Sequence, residues 1–175
     1  PLSSRARYWW KVRVWTEDDV VTDWSAPASF EMGLLHEEDW WGGWIGYATG
    51  MPGRVLYFKA TVAYGKKPVR EARMYIAGLG FYELMINGKK VGDHVLDPAQ
   101  SSYSKRIYYA TYDISDCFTE EANTIVVAVA PGFIGTPKLR MQMLVYFEDG
   151  SVAALTSGEM RAITAGSTMY TSIFD

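Results

Sequence analysis

With one cysteine and two histidines, the sequence has little soft-metal or redox chemistry to offer. Cys117 has no second cysteine to join, which excludes an internal disulfide and a thiolate zinc cage. His36 and His94 are far apart, and neither lies in the His-Glu-x-x-His spacing that puts two imidazoles on one helix face. No Gly-x-Ser-x-Gly turn is present to expose a serine nucleophile. Gly78-Leu79-Gly80 runs into Phe81-Tyr82-Glu83, so the third glycine of a dinucleotide fingerprint is missing and a strand follows where a helix is needed. No apolar run approaches the roughly 20 residues of a membrane-spanning helix, and no signal-peptide apolar segment follows Pro1-Leu2-Ser3-Ser4. Long stretches of helical periodicity are also missing; a turn or two over 114–121, capped by Ser115, is the most the pattern allows.

What is present is apolar and aromatic. Hydrophobic residues make up 49% of the 175 and aromatics 15%, against a net charge of −3, which is the composition of a chain that buries a core. The basic doublets Lys66-Lys67, Lys89-Lys90 and Lys105-Arg106 sit beside turn or acidic residues. They read as solvated turns, which argues against a nucleic-acid partner. All seven tryptophans fall within the first 44 positions, which marks this part as different from the rest.

Alternation of period two predicts strands over 8–15 and 28–32, then over 56–62, 72–77, 82–86, 89–91, 107–112, 124–130, 140–147 and 151–156. Asn87-Gly88 between two β-rich runs predicts a type I′ hairpin, and Glu148-Asp149-Gly150-Ser151 predicts a second tight turn. Many short strands with turn signals between them predict an all-β fold, an antiparallel β-sandwich. The expected organisation is 1–35 as the end of a preceding β-domain, 36–54 as a junction and 55–175 as the sandwich. Strand-like residues at both ends, including 171–175, read as cuts in a longer polypeptide. The junction contains Trp40-Trp41-Gly42-Gly43-Trp44. These aromatics are expected to be packing anchors between domains, with a sugar-stacking platform as the alternative.

Acidic residues sit mainly in turns, so no pair of carboxyl groups stands out for glycoside hydrolysis. One group differs: Asn87, Asp93 and Asp97, followed by Tyr103, gather on the hairpin and the loop after it. Oxygen ligands on a loop suit calcium, with Asp93 and Asp97 as the metal candidates, and Tyr103 offers a ring for stacking on a sugar. The plainer reading has the two aspartates bonding loop amides and Tyr103 anchoring the loop.

The run Ala77-Gly78-Leu79-Gly80-Phe81-Tyr82-Glu83-Leu84-Met85-Ile86-Asn87-Gly88-Lys89-Lys90-Val91-Gly92-Asp93 resembles the N-terminal domain of bacterial α-L-rhamnosidases. Leu96-Asp97-Pro98, Tyr103-Ser104-Lys105-Arg106-Ile107-Tyr108-Tyr109-Ala110-Thr111-Tyr112-Asp113-Ile114, Asn123-Thr124-Ile125 and Asp149-Gly150-Ser151 follow in the same order. The stretch from Trp24-Ser25 to Phe30-Glu31-Met32-Gly33-Leu34-Leu35 resembles the end of a fibronectin-like or immunoglobulin-like module that often precedes that domain, and Trp40 to Ile45 resembles the junction. The resemblance implies a jelly-roll, galactose-binding-like sandwich. It also implies a periplasmic or secreted bacterial glycoside hydrolase that inverts configuration with two carboxylates in an (α/α)6 barrel. That barrel has no counterpart here, so no catalytic residue is expected in this chain and no cofactor is required. The chain is then expected to be a non-catalytic region packing against and supporting the barrel of the same polypeptide. The alternative is a binding module for rhamnose-containing glycans, with calcium at Asp93 and Asp97. Two segments depart from the family pattern. Pro98-Ala99-Gln100-Ser101-Ser102-Tyr103 lacks a usual aromatic and acidic residue, and Gly132-Phe133-Ile134 stands where Gly-Trp-Tyr is common.

Overall fold

The computed structural model describes residues 1–47, 54–133 and 136–163. The strand expected over 171–175 and the residue Ile134 lie outside the described residues. The chain divides into two compact units, Pro1–Trp40 and Trp41–Asp175.

In the first unit, β1 (Arg7–Trp10) pairs antiparallel with β2 (Ala28–Glu31). Tyr8 stacks on Phe30 with centroids 5.5 Å apart, and Arg7 reaches Glu31 at 3.2 Å. The strand expected over 8–15 is shorter than its alternation suggested. Beyond Trp10 the pairing is irregular: the Ser25 and Thr22 amides still donate to the Val12 and Val14 carbonyls, but the Ser25 and Thr22 side chains occupy the Val12 and Val14 amides, and Trp15 and Val21 form an isolated bridge. Two strands have too little area to bury a face. Trp9, Trp10, Trp15 and Trp24 accordingly remain exposed, and Lys11 and Arg13 lie over the Trp24 ring at 4.5 and 4.7 Å.

The second unit is an antiparallel β-sandwich. One sheet runs β11 (Val152–Thr156), β10 (Lys138–Phe147), β5 (Val69–Leu79), β8 (Ala110–Asp113), with β3 (Ile45–Gly46) also bonded to β10. The other runs β12 (Arg161–Ile163), β4 (Leu56–Ala63), β9 (Ala122–Ala130), β6 (Phe81–Ile86), β7 (Lys89–Lys90). Alternation does the work in the second sheet: Asn123, Ile125, Val127 and Val129 of β9 point inward while their neighbours do not. In the first sheet β5 and β10 are buried on both faces, so Tyr75, Gln142 and Leu144 are as enclosed as the core residues Met74, Met141 and Met143. Their near-continuous apolar runs follow from that.

The region expected as a junction contributes to this unit. The Trp41 amide donates to the Gln142 side chain at 2.8 Å, Arg140 donates to the Gly42 carbonyl at 2.7 Å, and Ser157 donates to the Gly43 carbonyl at 2.6 Å. β3 then pairs with Lys138 and Leu139. Residues 41–46 thus extend one edge of β10 by hydrogen bonding. Trp41 keeps 54% of its surface exposed and Trp44 keeps 36%, so their rings are not core residues.

Two expectations are corrected in detail. Residues 107–109 are not strand, and β8 begins at Ala110. The helical turn expected over 114–121 is a single 3-10 turn, Ser115–Cys117, preceded by Ile114. Ser115 does not cap it from outside. Its hydroxyl donates to Asp113 and accepts the Ala72 amide, tying the turn to β5.

Tyr64, next after β4, packs edge-on to Phe147 at 5.2 Å, yet its buried hydroxyl finds no partner among the described residues. Burial and, second, the Glu159 charge push its pKa up to about 12. An unmet buried hydroxyl is a cost. Tyr64→Phe is expected to raise unfolding free energy by about 1 kcal/mol, read as a higher denaturant midpoint at unchanged slope. A fall of that size would show the hydroxyl to be bonded.

Candidate functional site

The hairpin expected at Asn87-Gly88 forms. Both residues have positive φ, 52° and 75°, as a type I′ turn requires. The Asn87 side chain is fully engaged inside the protein. Its amide donates to the Cys117 carbonyl at 3.0 Å and to Asn123 Oδ1 at 2.8 Å, and its oxygen accepts the Thr124 amide at 2.9 Å. Asn123, fully buried, also accepts the Thr119 amide and donates to the Thr119 and Glu121 carbonyls. Two asparagines therefore lock the hairpin to the 119–124 bend. Burial, with Asp116 and Asp113 nearby, raises the pKa of the adjoining Cys117 thiol, which keeps it protonated.

The loop after the hairpin is pinned at Asp97. Its carbonyl accepts the Tyr82 amide at 2.7 Å, making an isolated β-bridge. Its carboxylate accepts the Tyr112 hydroxyl and lies 2.7 Å from His94 Nδ1. Tyr112's proton is thus committed, so Tyr82 is the donor across the 3.5 Å contact between the two hydroxyls. The His94 ring lies 5.6 Å from the Tyr112 ring. The structure therefore joins Asp97 to His94, Tyr112 and Tyr82. Asp93 is exposed, Asn87 is engaged elsewhere, and Tyr103 is half-buried in the tight turn closed by the Lys105 and Arg106 amides on the Ser102 carbonyl. Among the described residues, no three His, Cys, Asp or Glu side chains converge as a metal cage.

Three members of this group, Tyr82, Tyr112 and His94, were not singled out by sequence reasoning. Tyr82 was open to discovery, because a tyrosine at an inward position of an alternating strand must find a partner for its hydroxyl. The residues clamped between His94 and Asp97 are apolar. Val95 is 74% exposed and Leu96 is 56% exposed, and Leu96 has a φ of 58°, rarely adopted by a branched side chain. At the same end of the sandwich, Phe133 is exposed and packs edge-on to Phe81 at 6.5 Å. This end displays exposed apolar side chains, Val95, Leu96 and Phe133.

The titration of the tyrosines follows from their enclosure. Burial first, and then the bond to Asp97, pushes the Tyr112 pKa up to about 12. Burial first, then the Tyr112 contact, also raises that of Tyr82. Their ordinary value is 10, so the native state holds these protons more tightly than the unfolded chain does. Their stabilisation is complete below pH 10 and declines as pH rises from there through about 12. The thermal midpoint is expected to fall steeply over that range, and Tyr112→Phe is expected to flatten the fall.

Comparison with known proteins follows the same division. Residues 67–175 match the model of the α-L-rhamnosidase N-terminal domain, and residues 1–36 match that of the Rha78A-like N-terminal immunoglobulin domain. An α-L-rhamnosidase of Formosa agariphila is 33% identical over 99% of this chain and 22% of its own length. The structure of α-L-rhamnosidase from Dictyoglumus thermophilum superposes with a TM-score of 0.86 at 34% identity, covering 93% of this chain and 21% of that one. That of Aspergillus terreus superposes with a TM-score of 0.82 at 30% identity, over 94% and 21%. The chain spans about a fifth of the length of these relatives.

Proposed function

Because the chain belongs to the α-L-rhamnosidase N-terminal domain family, we propose that it is the non-catalytic β-sandwich region of a longer rhamnosidase. In this reading it packs against and supports a catalytic barrel in the same polypeptide. The observation that carries the reading is the mismatch in coverage: 99% of this chain aligns, but with only 22% of the relative. The chemistry therefore has most of a polypeptide elsewhere in which to reside. The architecture suits a support. The enclosed tyrosines stay protonated at neutral pH, Asp97 is engaged by Tyr112 and His94, and the clamped loop presents Val95 and Leu96 as an apolar contact. A clamped loop loses little entropy on docking.

The test replaces Val95 and Leu96 with aspartate, separately in the 175-residue chain and in the full-length enzyme. Both side chains are exposed in the isolated chain, so its thermal midpoint is expected to change little. In the full-length enzyme two buried charges at the contact are expected to cost about 3 kcal/mol or more, read as a lower midpoint and faster loss of activity on heating. Equal, small effects in both contexts would overturn the proposed contact.

A further inference from the structure

A second feature lies on the flank of the sandwich, away from the hairpin. β12 pairs with β4 only opposite Tyr57, Phe58 and Lys59. The chain just before β12 turns off as a 3-10 turn, Ser157–Glu159, fixed by the Glu159 carboxylate accepting the Thr156 amide at 2.8 Å. No described strand therefore lies alongside Ala60, Thr61 and Val62 on that flank. The gap is a cleft of about 600 Å³, within the usual range for small-molecule sites.

Its lining is chemically specific. Lys59 and Arg161 are direct cross-strand partners and both line the cleft. Like charges placed opposite each other repel, and among the described residues neither has an ion-pair partner. An anion between them would convert that repulsion into attraction. Leu155 and Ile163 give the cleft an apolar wall, while the Thr61 hydroxyl and the Glu159 carboxylate supply a donor and acceptors. A ligand that satisfies all of these carries a carboxylate, an apolar ring face and several hydroxyls.

We propose that this cleft binds an acidic monosaccharide unit, its carboxylate between Lys59 and Arg161, its C–H face on Leu155, and its hydroxyls toward Thr61 and Glu159. The Glu159 charge fixes the orientation by keeping the carboxylate at the Lys59–Arg161 pair, one same-face step along β4 from Thr61. The site goes beyond the supporting role proposed above and does not depend on it.

The test is a titration of the isotopically labelled 175-residue chain with D-glucuronate, followed through backbone amide resonances. D-glucose serves as the uncharged ring and acetate as the bare anion. Saturable millimolar shifts confined to the amides around residues 59–62, 155 and 159–163 are expected with glucuronate. Glucose and acetate are expected to bind roughly tenfold more weakly, and added salt to weaken glucuronate. Lys59→Gln with Arg161→Gln should remove the response. All three groups are exposed, so these variants and Thr61→Val should fold, and Thr61→Val should weaken glucuronate but not acetate. Equal responses to glucuronate and acetate would overturn the monosaccharide as the cleft's ligand. Equal responses to glucose, shifts elsewhere, or none at all would overturn it.

Discussion

Gly80→Ala is expected to leave little or no folded protein. A β-carbon on Gly80 would lie 1.9 Å from the Ala130 carbonyl oxygen, and that atom belongs to the strand paired with Phe81, so it cannot swing aside as a side chain would. The residue also has a φ of 116°, which side-chain-bearing residues rarely adopt. Steric and backbone terms add, and the expected loss is at least about 4 kcal/mol. Gly65→Ala is the control. Gly65 also has positive φ, 64°, but nothing lies within 4 Å of its missing β-carbon, so its cost should be about 1 kcal/mol. Soluble yield and denaturant midpoints compare the two. Equal midpoints would show that the approach of β6 to the β9 end is not tight.

The second large effect is expected at Asn123. Truncation to alanine leaves the Thr119 amide and the Thr119 and Glu121 carbonyls, all in part-buried bonds, without their partner, and removes an acceptor for Asn87. A fully buried unmet group costs about 1–3 kcal/mol, and these part-buried ones cost less each because water can reach them. A net loss of about 3 kcal/mol is expected, with Asn87→Ala costing less because its turn is at the surface. The double variant should cost clearly less than the two singles added, since both remove the same contact. Strict additivity would mean the asparagines act separately.

The hairpin at Asn87 and Gly88 was legible because its turn chemistry is local. The role of Asn87 was not. Its side chain turns to residues 117, 123 and 124, which are remote in sequence, so an oxygen-rich loop and a hydrogen-bonded lock look alike in one dimension. Asp97 was singled out, but its partners Tyr112 and His94 come from a neighbouring strand and from the loop itself. β4, β6, β9, β10 and β11 were legible within one or two residues, because turn chemistry and apolar patterning agree there. β3 and β12 were missed because each is too short for periodicity to show. β5 ran longer than expected because its ends carry Glu71 and Gly78, residue types that strands disfavour.

The central claim is that this chain supplies structure and no hydrolytic chemistry. The most direct measurement is turnover of an aryl α-L-rhamnoside by the purified 175-residue chain, with folding verified by its thermal transition in the same buffer. No turnover above the uncatalysed rate is predicted, while the full-length enzyme under identical conditions is predicted to hydrolyse the substrate. Release of the aryl group by the isolated chain, at a rate proportional to its concentration, would contradict the account.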